Sequence, residues 1–447
     1  MPDVFETILV ANRGEIARRV IRSAQALGVK AVAVHSGADA KALHVREADE
    51  AVLLGPAPAA ESYLDAVKVI EAARQTGAQA IHPGYGFLAE NAAFAQQVID
   101  AGLVWIGPSP DAIDAMGDKI NARNLMQDAG VPVAGGTREP VADVEEAVAR
   151  AAEIGYPVMV KASAGGGGIG MGLAEDEAAL RKAFDTARTR AERFFGSPAI
   201  LLERYLARAR HVEIQILGLN DGTVVALGER DCAVQRRHQK VAEETPSPGV
   251  SEELRQRMFE GAVRAGEAIG YRNAGTVECL VSGDEFVFLE MNTRLQVEHP
   301  ITELTTGIDI VAEQLRIASG EDVSFTSVER NGHAIELRVY AEDPIRFLPG
   351  PGEITAWSEP SGEGIRVDSG YGPGDTVTPY YDPLLAKLCA WAPTRAEAIE
   401  RAREAVASFT IEGPKHNLAF HTELLSYDEF VSGDYDTGIV DRMRAKK

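Results

Sequence analysis

Residues 158–170 read Val158-Met159-Val160-Lys161-Ala162-Ser163-Ala164-Gly165-Gly166-Gly167-Gly168-Ile169-Gly170. The apolar run predicts a strand over 158–162 that delivers Lys161 straight into a glycine tract. Glycines such as Gly166, Gly167 and Gly168 let backbone N–H groups close around phosphate oxygens, while a lysine supplies a point charge. The Walker A order is absent, because here the lysine precedes the glycines. Taken alone, the tract reads equally well as a plain glycine-rich surface loop. Around it the pattern predicts a helix over 144–154, a further helix after the glycines and a strand over 200–203. Val131-Pro132-Val133 and the Gly135-Gly136 pair mark its upstream boundary. The unit 133–205 has the size of a lid.

Upstream, short apolar runs alternate with helical patterns. Strands are expected over 8–11, 31–35, 78–81 and 103–106, with helices over 14–27, over 61–76 and before Gly102. Repeated βαβ units predict a parallel sheet with helices on both faces. The first strand-to-helix turn, Asn12-Arg13-Gly14-Glu15, has one glycine where a dinucleotide fingerprint needs three, which disfavours NAD. A helical connector over 111–129 carries Lys119.

Downstream the chain turns strand-rich, with alternating segments over 211–217, 224–228, 275–281, 285–291 and 333–340, so an antiparallel α+β unit is expected. Ser282-Gly283-Asp284 separates two of these runs as a hairpin turn. Pairing across it brings Glu278 near Glu290, and the two-residue period puts Asn292 on the same face. Two carboxylates and an amide on one surface suit Mg²⁺; the alternative is an exposed polar face with no metal. The polar alternation continues through Arg294, Gln296 and Glu298. If extended, that segment presents a planar fork, a further donor and a base to a small anion, or it is a solvated strand edge. The run 229–240, with Arg230, Gln235, His238 and Lys240, concentrates positive charge and reads either as an anion site or as a solvated basic loop.

Composition narrows the function classes. At 447 residues, with 45% hydrophobic and 25% charged residues, the chain is expected to fold as two or three packed units. A net charge of −22 would repel nucleic acid and anionic membranes, so neither is expected as a partner. No apolar run approaches the ~18 residues that would span a bilayer. Cys232, Cys279 and Cys389 form no CxxC pair, which suits a reducing cytoplasm.

Together these stretches resemble the biotin carboxylase family of ATP-grasp enzymes, from Ile8 to the carboxy terminus. The carrying motifs are Asn12-Arg13-Gly14-Glu15-Ile16-Ala17, His82-Pro83-Gly84-Tyr85-Gly86-Phe87, the Lys161 tract, Arg230-Asp231-Cys232 through Lys240, and Glu290-Met291-Asn292-Thr293-Arg294 through His299-Pro300. The resemblance implies a mixed α/β and α+β fold: a Rossmann-like unit at 1–113, a connector at 114–132, an ATP-grasp lid at 133–205, and the large ATP-grasp part with the carboxy-terminal domain at 206–447. It implies ATP and Mg²⁺ (or Mn²⁺) as cofactors and biotin on a carrier as acceptor. Lys119 and Lys161 match phosphate contacts, Glu203 and Leu206 the adenine side, and His211, Gln235 and His238 further nucleotide contacts. Glu278, Glu290 and Asn292 match its metal positions.

By the same resemblance Arg294, Gln296 and the Val297 N–H hold bicarbonate, and Glu298 removes its proton so that it attacks the γ-phosphate to give carboxyphosphate. Lys240 matches a bicarbonate or carboxyphosphate contact, Arg338 the residue that stabilises the biotin enolate, and Tyr85 and Gly86 the surroundings of the biotin ring. Implied partners are a second copy of the chain, a biotin carboxyl carrier protein and a carboxyltransferase subunit. The implied activity is the first half-reaction of an acetyl- or propionyl-CoA carboxylase, as in fatty acid synthesis; the biotin carboxylase part of a pyruvate carboxylase and another ligase forming an acyl phosphate are the alternatives. The sequence departs from the family pattern at Ile169, where a basic residue is usual. It also contains no Ala-Met-Lys-Met biotinylation stretch, so the carrier is expected to be a separate polypeptide.

Overall fold

The computed structural model describes residues 4–163 and 171–445. Gly166, Gly167, Gly168 and Ile169 lie outside the described residues.

The first unit is a five-stranded, all-parallel sheet in the order Glu50–Gly55, Lys30–Ser36, Thr7–Val10, Ala80–His82, Val104–Trp105. Its central strand is apolar on both faces: Ile8 and Val10 enter one core and Leu9 another, which is what helices on both sides require. Gly14 opens the first helix, Gly14–Ala26, at φ +65°, a conformation cheap only for glycine. The expected helix over 61–76 is shorter. A 3₁₀ turn covers Ala59–Glu61, and the α-helix Ala66–Gln75 starts where the Asp65 carboxylate accepts from the Lys68 N–H. The strand Glu50–Gly55 is an addition to the expected set: it is an edge strand with only Leu54 buried and therefore carries no apolar alternation.

The connector is two helices rather than one. Pro110–Gly117 and Lys119–Asp128 meet at Asp118, whose extended backbone breaks the helix and whose carboxylate caps the next one through Asn121 N–H. Lys119 is thereby the first residue of the second helix. The expected lid contains a three-stranded antiparallel sheet, with Val158–Ala162 between Met171–Ala174 and Ile200–Arg204. The helices Val144–Ile154 and Glu177–Phe195 cover it, burying Ala147, Ala151, Leu180 and Phe184.

The remainder is built on one eight-stranded antiparallel sheet. Its order is Glu285–Asn292, Asn273–Ser282, Arg210–Gly218, Val224–Arg236, Gln239–Thr245, His333–Tyr340, Leu384–Ala392, Ile365–Ser369. The strand expected over 224–228 runs on to Arg236, so most of the basic run is strand. Arg237 and His238 form its turn at φ +50° and +67°. Cys232, Cys279 and Cys389 are all free, buried and on this sheet. Among the described residues no helix is long and apolar enough to cross a membrane.

Candidate active site

A cleft of about 1020 Å³ lies where the three units meet. The parallel unit contributes Tyr85 and Gly86, the connector Lys119, and the lid Lys161 and Glu203. Leu206 follows directly on the lid. The eight-stranded sheet supplies His211, Gln235, Lys240, Glu278, Glu290, Asn292 and Arg338, with His238 from the turn between two of its strands and Arg294, Gln296 and Val297 from the turn after the hairpin. Glu298 is different: it is fully buried and sits behind the cleft wall.

The hairpin forms in the expected register, with Glu278 directly opposite Glu290. The two carboxylates nonetheless have different surroundings. Glu278 Oε1 accepts from Lys240 Nζ at 2.8 Å, Asn292 Nδ2 at 2.8 Å and Gln296 Nε2 at 3.1 Å. Its Oε2 lies 2.8 Å from His211 Nε2, while His211 Nδ1 is 2.6 Å from Gln235 Nε2. Burial would raise the Glu278 pKa, but Lys240 and His211 outweigh it and hold the group well below the usual carboxylate range. Burial would lower His211, and Glu278 reverses that and raises it. Glu290 is more open, with its nearest cation Lys119 at 3.7 Å. Lys161 bonds the Glu203 carboxylate.

Glu278 and Glu290 are hard oxygen donors facing each other across the hairpin, the donor type that suits Mg²⁺, and Glu278 would have to give up some of its present partners to bind it. The Asn292 amide donates to Glu278 and accepts from Arg294 Nη2 at 3.0 Å, so its oxygen would reach a metal only after the amide turns. Two tighter groupings, His211–Glu213–Glu278 and Glu213–Cys232–Glu298, also have metal-like spacing. Both are already crossed by a cation: Lys240 Nζ lies 2.6 Å from Glu213, 2.8 Å from Glu278 and 2.7 Å from Glu298. The ammonium takes the place an ion would have.

The segment after the hairpin is not the extended strand the alternation suggests. The strand ends at Asn292, and the chain turns so that Glu298 becomes the N-cap residue of the helix His299–Thr306. The turn still gathers the expected side chains. Arg294 Nη1 donates to Gln296 Oε1 at 2.7 Å and Nε to Glu90 Oε2 at 2.9 Å. Glu298 takes Lys240 on Oε1, and Arg338 Nη2 on Oε2 at 3.0 Å. Burial opposes its charge, yet Lys240, Arg338 and Arg230 hold its pKa well below normal, so it is ionised. Arg338 Nε also donates to Glu243 Oε1 at 2.6 Å. The Tyr85 hydroxyl bonds Glu15, whose other oxygen lies 3.1 Å from the fully buried Lys387.

Most of the basic run is neutralised internally. Arg230 is fully buried on Glu213, Gln215 and Thr302, and Arg236 pairs with Glu342. Of that run's basic residues, Arg237, His238 and Lys240 face the cleft. Sequence reasoning misses Glu90, Glu213, Glu243 and Lys387. Glu213 has a signal, since His211, Glu213 and Gln215 alternate with Val212, Ile214 and Ile216 on a wholly buried strand. Glu90 has none, because it stands in a loop beside no pattern.

Known proteins resemble this chain along its whole length. Residues 4–113 match the biotin carboxylase N-terminal domain, 118–326 the ATP binding domain of the carbamoyl-phosphate synthase L chain, and 336–442 the biotin carboxylase C-terminal domain. A biotin carboxylase of Halalkalibacterium halodurans is 52% identical over 98% of this chain and 97% of that protein. A pyruvate carboxylase subunit of Methanothermobacter thermautotrophicus is 49% identical over 99% and 90%. The crystal structure of the Hydrogenobacter thermophilus 2-oxoglutarate carboxylase biotin carboxylase domain dimer, in complex with MgADP, ADP and bicarbonate, superposes with a TM-score of 0.93. It is 43% identical and covers 98% of each chain.

Proposed function

The chain belongs to the biotin carboxylase family, an ATP-dependent carboxylase ligase, and on that premise we propose how its residues divide the reaction. The substrates are ATP, bicarbonate and the biotin of a carrier protein. The observation that carries this reading is the convergence of Arg294, Gln296, Lys240, Glu298 and Arg338 beside the Glu278–Glu290 surface.

Lys119 and Lys161 neutralise the nucleotide phosphates, and Glu203 and Leu206 line the adenine side with His211, Gln235 and His238 nearby. Glu278 and Glu290, with Asn292 after its amide turns, would hold Mg²⁺, which when bound supplies positive charge to the phosphate oxygens. Arg294, Gln296, Lys240 and the Val297 N–H receive bicarbonate. Its arrival draws Lys240 onto the anion and uncovers Glu298 Oε1, which is ionised and takes the proton. Bicarbonate oxygen then attacks the γ-phosphorus, ADP leaves, and carboxyphosphate forms. Carboxyphosphate breaks to CO₂ and phosphate, phosphate takes the N1 proton of biotin, and N1 attacks CO₂. Arg338 stabilises the charge on the ureido oxygen meanwhile, with Tyr85 and Gly86 beside the ring.

The acceptor of the second half-reaction is proposed to be an acyl-CoA. The likeness to a pyruvate carboxylase subunit supports pyruvate as the second reading. A homodimer is proposed because the Hydrogenobacter relative is a dimer. Three buried thiols suit a reducing cytoplasm.

The deciding test uses Arg338→Ala. Carboxybiotin formation from free biotin should fall by roughly 10²–10³, the usual loss for one preorganised donor, while bicarbonate-dependent phosphate release persists. Equal losses in both activities on the same preparation would remove Arg338 from the biotin step.

A further inference from the structure

One buried carboxylate beside the reaction centre has no role in that scheme. Glu243 is 1% exposed, on the strand Gln239–Thr245, and Arg338 Nε donates to its Oε1 at 2.6 Å. The same guanidinium reaches Glu298 Oε2 through Nη2 at 3.0 Å. Arg338 is therefore a cation shared by two carboxylates that water does not reach. Glu243 Oε2 has no partner, so that carboxylate is committed to Arg338 on one side only. Directly across the strand pair stands Glu336, also buried, with its own Oε1 unpartnered.

We propose that Glu243 is a positioning residue: it keeps hold of Arg338 by Nε, and it carries the guanidinium's counter-charge while Glu298 is protonated. The inference rests on the assignment of Glu298 and Arg338 above. When Glu298 takes the bicarbonate proton, Nη2 loses one of its two charged neighbours, keeps the other, Glu243 Oε1 at 2.6 Å, and can turn its remaining hydrogen to the ureido oxygen. A guanidinium left without any anion in that buried setting would lose its position or pull in water. Glu243 prevents this by keeping the Nε–Nη2 edge of the planar group on its Oε1.

The charged and titratable groups facing Glu243 agree with such a hand-over. They are Lys240 on its own strand, Cys232 on Val224–Arg236, Arg338, Glu336 and Tyr340 on His333–Tyr340, and Glu298 from the turn. Burial raises the Glu243 pKa, Arg338 lowers it and Glu298 raises it, leaving it at about 7. Protonation of Glu298 removes that last push and favours the Glu243 carboxylate. Burial, with Glu243 as a further cause, keeps Glu336 well above the usual range and so uncharged.

The test compares carboxybiotin formed per phosphate released, from free biotin, across pH 6 to 9. Glu243→Gln should lower that ratio by roughly ten- to a hundredfold, the loss expected for a buried hydrogen bond to a charged partner. In the unaltered enzyme the ratio should fall toward acid pH as Glu243 gains a proton; in Glu243→Gln it should be low and flat. Glu243→Asp, which keeps the charge, should recover part of the ratio. If Glu243→Gln does not fold, Glu243→Asp alone must still shift the acid limb. An unchanged ratio and an unchanged limb overturn the inference, as does an equal loss of both activities that Asp does not relieve. If Arg338→Ala splits the two activities and Glu243→Gln does not, only the inference fails; if Arg338→Ala does not split them, the reading beneath it fails.

Discussion

Lys240 shows how one side chain can replace an ion. Burial would lower its pKa, but Cys232, Glu213, Glu278 and Glu298 raise it well above normal, so it stays charged. Lys240→Met removes the cation shared by three buried carboxylates and leaves each with one basic partner, Arg230 on Glu213, His211 on Glu278 and Arg338 on Glu298, at a cost of about 3–5 kcal/mol. The sign of the pH dependence follows. In the native chain Glu278 and Glu298 have lowered pKa values, so their pairing stabilises the fold above the unfolded carboxylate range near ~4.5 and is lost as pH falls through the lower folded values. In Lys240→Met those pKa values rise, so the damage should be largest at neutral pH and shrink on acidification. Melting temperatures of both proteins at pH 7.5 and 5.5 check this; an equal deficit at both would mean that Lys240 acts through packing.

Elements are legible where punctuation is local. The helix Val144–Ile154 is framed by Asp143, which caps Glu145 and Glu146 N–H, and by Gly155 at φ +89°. The strands Val158–Ala162 and His333–Tyr340 also stand where the alternation puts them. Gln239–Thr245 escapes sequence reading because Glu243 and Glu244 place acids on both faces, which reads as surface. Both are buried only because Arg338, His333 and Arg395 reach them from far along the chain. Leu384–Ala392 hides for a related reason, its apolar run being broken by Lys387, whose partner Glu15 lies on the first helix. The helix break at Asp118 gives an element-scale prediction. Asp118→Ala removes the cap that sets the start of Lys119–Asp128, costing about 1 kcal/mol. Because Lys119 is the first residue of that helix, the KM for ATP should rise while the bicarbonate KM moves little; equal shifts in both would detach Lys119 from the nucleotide.

At the scale of the molecule, the parallel and the large antiparallel sheet are visible in outline because each has its own rhythm, βαβ for the first and a period of two for the second. Their meeting is not: the Glu90–Arg294 bond and the Glu15–Lys387 pair join segments that no periodicity relates. The cysteines allow this architecture to be followed in solution. All three are buried in the eight-stranded sheet, and burial raises each thiol pKa, so native protein should give no colour with a thiol reagent. The parallel sheet and the lid contain no cysteine. Thiol release during urea unfolding is therefore a clock for one sheet, silent about the other two units, while tryptophan emission from Trp105 belongs to the parallel sheet. If the units melt separately, a mutant keeping only Trp105 should give an emission transition displaced from that of the thiols; coincident curves would make the chain one cooperative block.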